Sequence, residues 1–476
     1  MPSGLRYPSG EPLLEVLDED DFGQRIESAL LSNAKDLVTA HEDTRRVRAF
    51  RELQPAPTID PADVRAVGWT YLVHESDPNR QAYTDILEPL ARHRGMKSPR
   101  SPLVLSGVRK GWAKWMIEHY QALDVDERPG YVLLVGGPEH IPFEFQTLFN
   151  VAAHVGRVSF DSLEELGAYV EKLLRLENPA SEPSTHPEVL FFAPDKGRLV
   201  DGSYDVTHFS RIHMADPLAA MVRGKEPYRA FGVIELMGPD ATKEQLSTTL
   251  RAKRPAFLFT ASHGMAAAGE SLDIQMRING AIACQRTGRE RAIEDFLFAA
   301  ADVPRDEVFL EGAIVLQFAC FGYGTPARSA FAPWHLGVPD VNASADFIAA
   351  LPKALLAHPR GPIAFIGHVD TAWLHGFDDP DDPAATDLWH PRLGPFRRAV
   401  DSILTLRPSG LAMIEMYVRL NQLTLELTSV LEAIQRGEYE NTADDRRTLA
   451  GDFIGKCDAQ NYMLFGDPAA RVRVAS

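Results

Sequence analysis

The chain has 476 residues, enough for two or three domains or for one large α/β domain with attachments. With 45% hydrophobic and 24% charged residues it has the composition of a soluble globular protein, which excludes a fibrous or a wholly disordered chain. The formal net charge of −17 argues against a nucleic acid or an anionic membrane as partner.

The first residues, Met1-Pro2-Ser3-Gly4-Leu5-Arg6-Tyr7-Pro8, lack the basic and apolar regions of a signal peptide. No stretch approaches the roughly 18 apolar residues of a membrane span. Residues 1–62 read as an N-terminal accessory segment and linker. Within it 15–21 is acidic, 24–51 has helical spacing, and Pro55, Pro57 and Pro61 block regular structure. An α/β rhythm then begins, with a strand over 67–73. A helix follows over 109–123, where Trp112, Trp115, Met116 and Tyr120 recur at helical spacing and are expected in the core. Tyr131-Val132-Leu133-Leu134-Val135 is a buried strand, followed by the loop Gly136-Gly137-Pro138-Glu139-His140-Ile141-Pro142. No Gly-rich phosphate cradle follows those glycines, which counts against a nucleotide-dependent enzyme. Val155-Gly156-Arg157-Val158 precedes a helix that Ser162 and Glu165 open as a capping box and that should run to about 178. Residues 180–187 read as a linker.

The second block predicts strands at 189–192, 232–236, 256–260, 313–319 and 362–366, helices at 243–250 and 345–356, and a long helix over 411–434. Asn279-Gly280 between apolar residues is a hairpin signal. Alternating strands and helices imply a mainly parallel sheet flanked by helices. A smaller α/β subdomain over 63–185 and a larger one over 186–476 are the expected division.

Two stretches carry chemistry. Ala313 to Ala319 is an apolar run that ends in Cys320, followed by Phe321-Gly322. Ala256 to Ala261 is another, ending in Ser262-His263-Gly264. Parallel strands keep their sites at their carboxyl ends, so the two runs would set a thiol beside an imidazole. Cys320 is then the candidate nucleophile and His263 the candidate base, with backbone N–H groups of Gly264 and Cys320 as candidate oxyanion donors. The plainer reading makes Cys320 a small buried hydrophobe and His263 a satisfied core residue, but the paired placement at strand ends favours catalysis. The only other cysteines, Cys284 and Cys457, are too distant in sequence for a CxxC pair, and three thiols in all point to a reducing, cytoplasmic compartment.

Ser262-His263-Gly264 and Gln317-Phe318-Ala319-Cys320-Phe321-Gly322 resemble the His-Gly and Ala-Cys signatures of the caspase-like cysteine peptidases. The 131–142 stretch, Val155-Gly156-Arg157-Val158 and Asn461-Tyr462-Met463-Leu464-Phe465-Gly466-Asp467-Pro468 resemble segments of the gingipain-type family within that clan. The resemblance covers about 64–470. It implies a caspase-like mainly parallel sheet preceded by the smaller subdomain, and a Cys-His dyad that cuts after Arg or Lys. It further implies Asp205, with Asp195 nearby, as the acid of a basic-residue pocket and Trp373 as a wall of that pocket. The partners it implies are protein or peptide substrates with basic cleavage sites, together with an upstream activator. Restraint as a zymogen follows, with exposed basic residues between Arg286 and Arg291 as processing sites, and family analogy suggests a bacterial stress or antiviral defence role.

No cofactor is expected. Phe377-Asp378-Asp379-Pro380-Asp381-Asp382 could hold Ca²⁺, though a solvated acidic loop is the simpler reading. His335, His368, His375 and His390 show no metal-ligand spacing. The rival function is a catalytically inactive caspase-like binding module.

Overall fold

The computed structural model describes residues 4–13, 19–32, 59–96, 102–124, 126–178, 180–181, 187–331, 341–377 and 391–474. Within these residues the main sheet has ten strands. In chain order they are β2 (Trp69–His74), β3 (Leu103–Leu105), β4 (Tyr131–Val135), β5 (His154–Val158), β6 (Glu188–Ala193), β7 (Gly232–Met237), β8 (Phe257–Ala261), β12 (Ile314–Phe318), β15 (Ala364–His368) and β16 (Tyr462–Gly466). Their order across the sheet is β3-β2-β4-β5-β16-β15-β12-β8-β6-β7. Every neighbouring pair is parallel except β15 and β16. The fold is therefore α/β with a mainly parallel sheet flanked by helices.

One strand from the end of the chain joins the expected smaller and larger parts. β16 pairs in parallel with β5 through Phe465 and Arg157, and antiparallel with β15 over five residues. The two halves of the sheet consequently point their carboxyl ends in opposite directions. Close backbone approach makes the junction possible: a Cβ at Gly156 would lie 2.1 Å from the Gly466 carbonyl oxygen. The Phe465-Gly466-Asp467-Pro468 segment then locks it. Asp467 is fully buried and accepts from Trp69 Nε1 at 2.9 Å and from Arg94 Nε at 2.8 Å.

The side-chain period of two divides each central strand between two cores. Tyr131, Leu133 and Val135 face the larger cluster, while Val132 and Leu134 face a smaller one holding Trp112, Trp115, Met116 and Tyr120. The aromatic run over 109–123 is thus core, packed edge-on against Phe145 and Phe149. Burying one such ring contributes about 1.5–3 kcal/mol. Ser162 caps the Leu163–Glu177 helix by accepting from the Glu165 N–H at 3.2 Å.

Two expectations differ from the structure. Asn279-Gly280 closes no hairpin; it terminates the Leu272–Ile278 helix, Gly280 taking φ +76°. A side chain there would collide with the Phe321 carbonyl, so the glycine serves close approach rather than a two-residue turn. The expected helix over 345–356 starts only at Ala350, because Phe347–Ile348 (β14) pairs with Gly324–Thr325 (β13).

A four-stranded sheet lies beside the carboxyl ends of β8 and β12. It comprises β1 (Gly4–Arg6), β9 (Gly264–Ala266), β10 (Ile282–Ala283) and β11 (Leu297–Phe298), in that spatial order. A separate helical layer contains the Glu19–Ser32, Ile414–Arg436 and Ala443–Ala459 helices. Among the described residues no helix is long and apolar enough to cross a membrane.

Candidate active site

β8 and β12 are neighbours, paired in parallel over five residues with Phe318 opposite Ala261. The ladder stops there, and two residues on from each strand His263 and Cys320 leave the same end of the neighbouring strands. Tight packing continues beyond the strands. A Cβ at Gly264 would lie 1.9 Å from the Cys320 carbonyl oxygen and 2.9 Å from its nitrogen, so only glycine fits there. The two backbones expected to supply oxyanion donors are therefore in contact.

The turn after Cys320 is held in uncommon geometry. Phe321 has φ +59° and Asp370, at the end of the neighbouring β15, has φ +76°. Non-glycine residues in this region cost about 1–2 kcal/mol each and persist where surrounding contacts over-determine them. Here the Phe321 N–H donates to the Asp370 carbonyl at 2.7 Å, and Gln317 Nε2 braces the Gly280 carbonyl at 2.9 Å.

His263 is 2% exposed. Its Nε2 stands 2.9 and 3.1 Å from the two oxygens of Asp205. Asp205 comes from the start of the short Val206–Phe209 helix, where its carboxylate also caps Thr207 N–H at 2.9 Å. Burial by itself would raise the Asp205 carboxyl. The imidazole, Lys196 and Thr207 outweigh it and hold the group well below its ordinary range, so it is ionised. An ionised carboxylate can only accept, which makes Nε2 the protonated nitrogen. Nδ1 is then the bare one, buried and without a hydrogen-bond partner. Burial also lowers the imidazole, against the upward pull of Asp205.

Cys320 Sγ accepts from the Ala372 N–H at 3.2 Å and lies 3.6 Å from the Ala372 carbonyl. The residue is fully buried. Burial pushes the thiol well above its ordinary value, partly offset by the Ala372 N–H and reinforced by Asp370 and Asp458. The neutral thiol makes no hydrogen bond to His263 in this closed arrangement.

The remaining expected site residues are placed differently from the sequence reading. Asp205 was expected in a basic-residue pocket; its carboxylate is instead committed to His263 and Thr207. Asp195 accepts from Arg211 Nε at 2.8 Å and from Gly197 N–H at 2.7 Å, and lies 2.9 Å from His208 Nδ1, so this chain's own cation occupies it. Trp373 is not a pocket wall in this state. It is fully buried among Phe331, Phe22 and Leu449 in the helical layer. Sequence reasoning missed the Asp205–His263 contact, because 58 residues separate the pair and only the crossover brings them together. It also missed Asp370, whose oxygens accept from Ser329 at 2.9 Å and the Ala330 N–H at 2.8 Å.

Among the described residues, no group of three or more His, Cys, Asp or Glu side chains could hold a metal ion. The calcium candidate's acids, together with His335 and His390, lie outside the described residues. His368 is buried and hydrogen-bonded to the Asp370 and Asp458 carbonyls. Cys284 and Cys457 are buried free thiols. Arg286, Arg289 and Arg291 are exposed in the segment between β10 and β11.

No family model and no curated protein matches the sequence. Among solved structures the chain is similar to gingipain R, an Arg-specific cysteine proteinase. Identity is 14% and the TM-score 0.48, over 88% of this chain and 80% of that one. It is similar to the complex of pro- and mature domains of RgpB from Porphyromonas gingivalis, at 13% identity and TM-score 0.47, over 85% of this chain and 80% of that one. It is also similar to a structure described only as a protease, at 12% identity and TM-score 0.48, over 86% of this chain and 79% of that one. This likeness concerns the path of the chain in coarse outline; the chemistry rests on the side chains described above.

Proposed function

We propose that the chain is a cysteine-type peptide-bond hydrolase in which Cys320 is the nucleophile, His263 the base and Asp205 the group that orients His263. One observation carries this reading. Two neighbouring parallel strands lead at the same end into a thiol and an imidazole, and the imidazole is anchored through Nε2 on a carboxylate while its Nδ1 has no hydrogen-bond partner. An anchored imidazole with one open nitrogen is what a proton shuttle requires of its base.

In the working cycle Nδ1 takes the Cys320 proton, and the thiolate forms a C–S bond with the scissile carbonyl carbon. Backbone N–H groups of Gly264 and Cys320 hold the oxyanion. The C–N bond breaks as Nδ1 returns the proton to the leaving amine. Water, deprotonated by Nδ1, then opens the thioester and regenerates the thiol. Asp205 stabilises the imidazolium at each transfer.

Cleavage after Arg or Lys belongs to the same proposal. Asp205 and Asp195 are both engaged internally, as are the buried Asp370 and Asp458, so this part of the proposal rests on the sequence resemblance. Polypeptides with basic sites are the proposed substrates.

The test is hydrolysis of short reporter peptides ending in Arg, Lys or a neutral residue by wild type, Cys320→Ala and Asp205→Ala. Loss of turnover in both variants is expected. Equal activity in Cys320→Ala would remove the enzyme reading. The inactive binding module is the second reading, favoured by the neutral thiol and its missing bond to His263. It predicts no turnover in any protein and no labelling of Cys320 by an electrophilic substrate mimic.

A further inference from the structure

A hydrolase must bring a substrate backbone to its sulfur, and a backbone already lies there. β1 pairs in parallel with β9, Gly4 opposite Gly264, Leu5 opposite Met265 and Arg6 opposite Ala266. A Cβ at Gly4 would lie 3.0 Å from Cys320 Sγ, so the main chain at Gly4 covers the thiol directly. The other edge of β9 is occupied by β10, which leaves the β1 side as the edge where a strand can add.

The covering segment is well fixed. Tyr7 N–H donates to the Ala266 carbonyl at 2.8 Å, continuing the ladder past β1. The chain then turns back: Gly10 N–H donates to the Arg6 carbonyl at 2.7 Å and Leu13 N–H to the Gly4 carbonyl at 3.0 Å. Leu5 is fully buried in an apolar pocket formed with Met265, Ile278, Ala283, Phe296 and Leu297. Leu13, 7% exposed, joins the cluster that contains Cys320. Farther along, the Glu19–Ser32 helix packs on the Ala443–Ala459 helix, with Arg446 Nε donating to Asp20 at 2.6 Å.

The direction of β1 defines what the groove reads. The segment runs from the sulfur outward along β9, so it occupies the half of the cleft that would hold residues after the scissile bond. The geometry points to the β9 edge and the Leu5 pocket as a subsite for an extended polypeptide, selecting an apolar side chain at the Leu5 position, with residues 4–13 as its internal occupant. This rests on the hydrolase reading and adds the regulation of the same site: Cys320 is released when a substrate or activator displaces the segment. Glycine at the sulfur fits the role of occupant, because no side chain forces the segment away. The closed, buried surroundings of Cys320 and His263 then belong to the covered state.

The experiment is alkylation of Cys320 by iodoacetamide, followed by peptide mapping, in the full chain, in Leu5→Asp and in a form lacking residues 1–13. Leu5→Asp places a charge in the pocket and should raise the Cys320 alkylation rate at least tenfold while buried Cys457 stays unreactive. A synthetic peptide of residues 1–13 should restore protection, and the same peptide carrying Asp at position 5 should not. Should Leu5→Asp expose Cys457 as well, Gly4→Val reads the same contact, since a side chain there meets the sulfur and Leu13. Alkylation of Cys320 at the wild-type rate in the folded variants and the truncated form would overturn the proposal. Faster alkylation without peptide hydrolysis would leave the groove standing and remove the hydrolase. Equal hydrolysis by full chain and variants would do the reverse.

Discussion

Asp467 and Asp205 are both buried carboxylates that bind a basic side chain, one at the junction of the sheet halves and one at the carboxyl end of β8. Asp467 is satisfied on every side. Oδ1 takes Trp69 Nε1 at 2.9 Å and Ala469 N–H at 3.1 Å, and Oδ2 takes Arg94, which also reaches Glu177. A guanidinium has no lone pair and stays charged, so Arg94 offers Asp467 no proton acceptor. Asp205 is almost as well satisfied, yet its partner is an imidazole with one nitrogen unused. A buried pair that satisfies every atom is scaffold; the proposed shuttle calls for one that leaves a proton acceptor vacant.

The comparison can be broken or sharpened by measurement. Cys320→Ala should lower peptide turnover by on the order of 10⁴-fold or more, the scale of losing a nucleophile. Asp205→Asn keeps the shape but not the charge, and should lower kcat by about 10²–10⁴-fold through loss of imidazolium stabilisation. A similar loss in Asp467→Asn, in protein of wild-type stability, would erase the distinction between the two sites. Asp467→Ala leaves Arg94 short of a buried partner and should cost about 3–5 kcal/mol in denaturant unfolding.

Glu177 gives the pH dependence of the scaffold. Burial would raise its carboxyl, but His93 and Arg94 bring it from 4.5 down to about 2. A folded-state value below the unfolded one means the stabilisation is complete above about pH 4.5 and is lost as pH falls toward 2. The loss should reach about 3 kcal/mol, read from unfolding midpoints in acid and diminished in Arg94→Met. Arg360→Ala should change stability by under about 1 kcal/mol, because its pair with Glu311 is half exposed to solvent.

The legibility of the sequence followed burial. Runs such as 131–135 and 313–319 are apolar because strands covered on both faces must be, so their type and most of their bounds could be read directly. Cys320 and His263 stood out because each terminates such a run. Asp205 was visible as an acid in a loop, but its role depends on where its oxygens point. Trp373 was a plausible wall until Phe331 and the Ala443–Ala459 helix closed around it. The Asn279-Gly280 pair satisfied a local rule for hairpins, and the preceding helix with the Phe321 carbonyl decided otherwise.

What the sequence determined by itself was the set of buried strands, their alternation with helices and the two strand ends carrying sulfur and imidazole, since periodicity and composition are local properties. Tertiary structure alone decided which carboxylate meets His263, how β16 joins the halves of the sheet, and that Gly4 lies on Cys320. Those contacts link residues tens to hundreds of positions apart. Side-chain direction and the close approach of backbones govern them, and neither is encoded in the residues taken one stretch at a time.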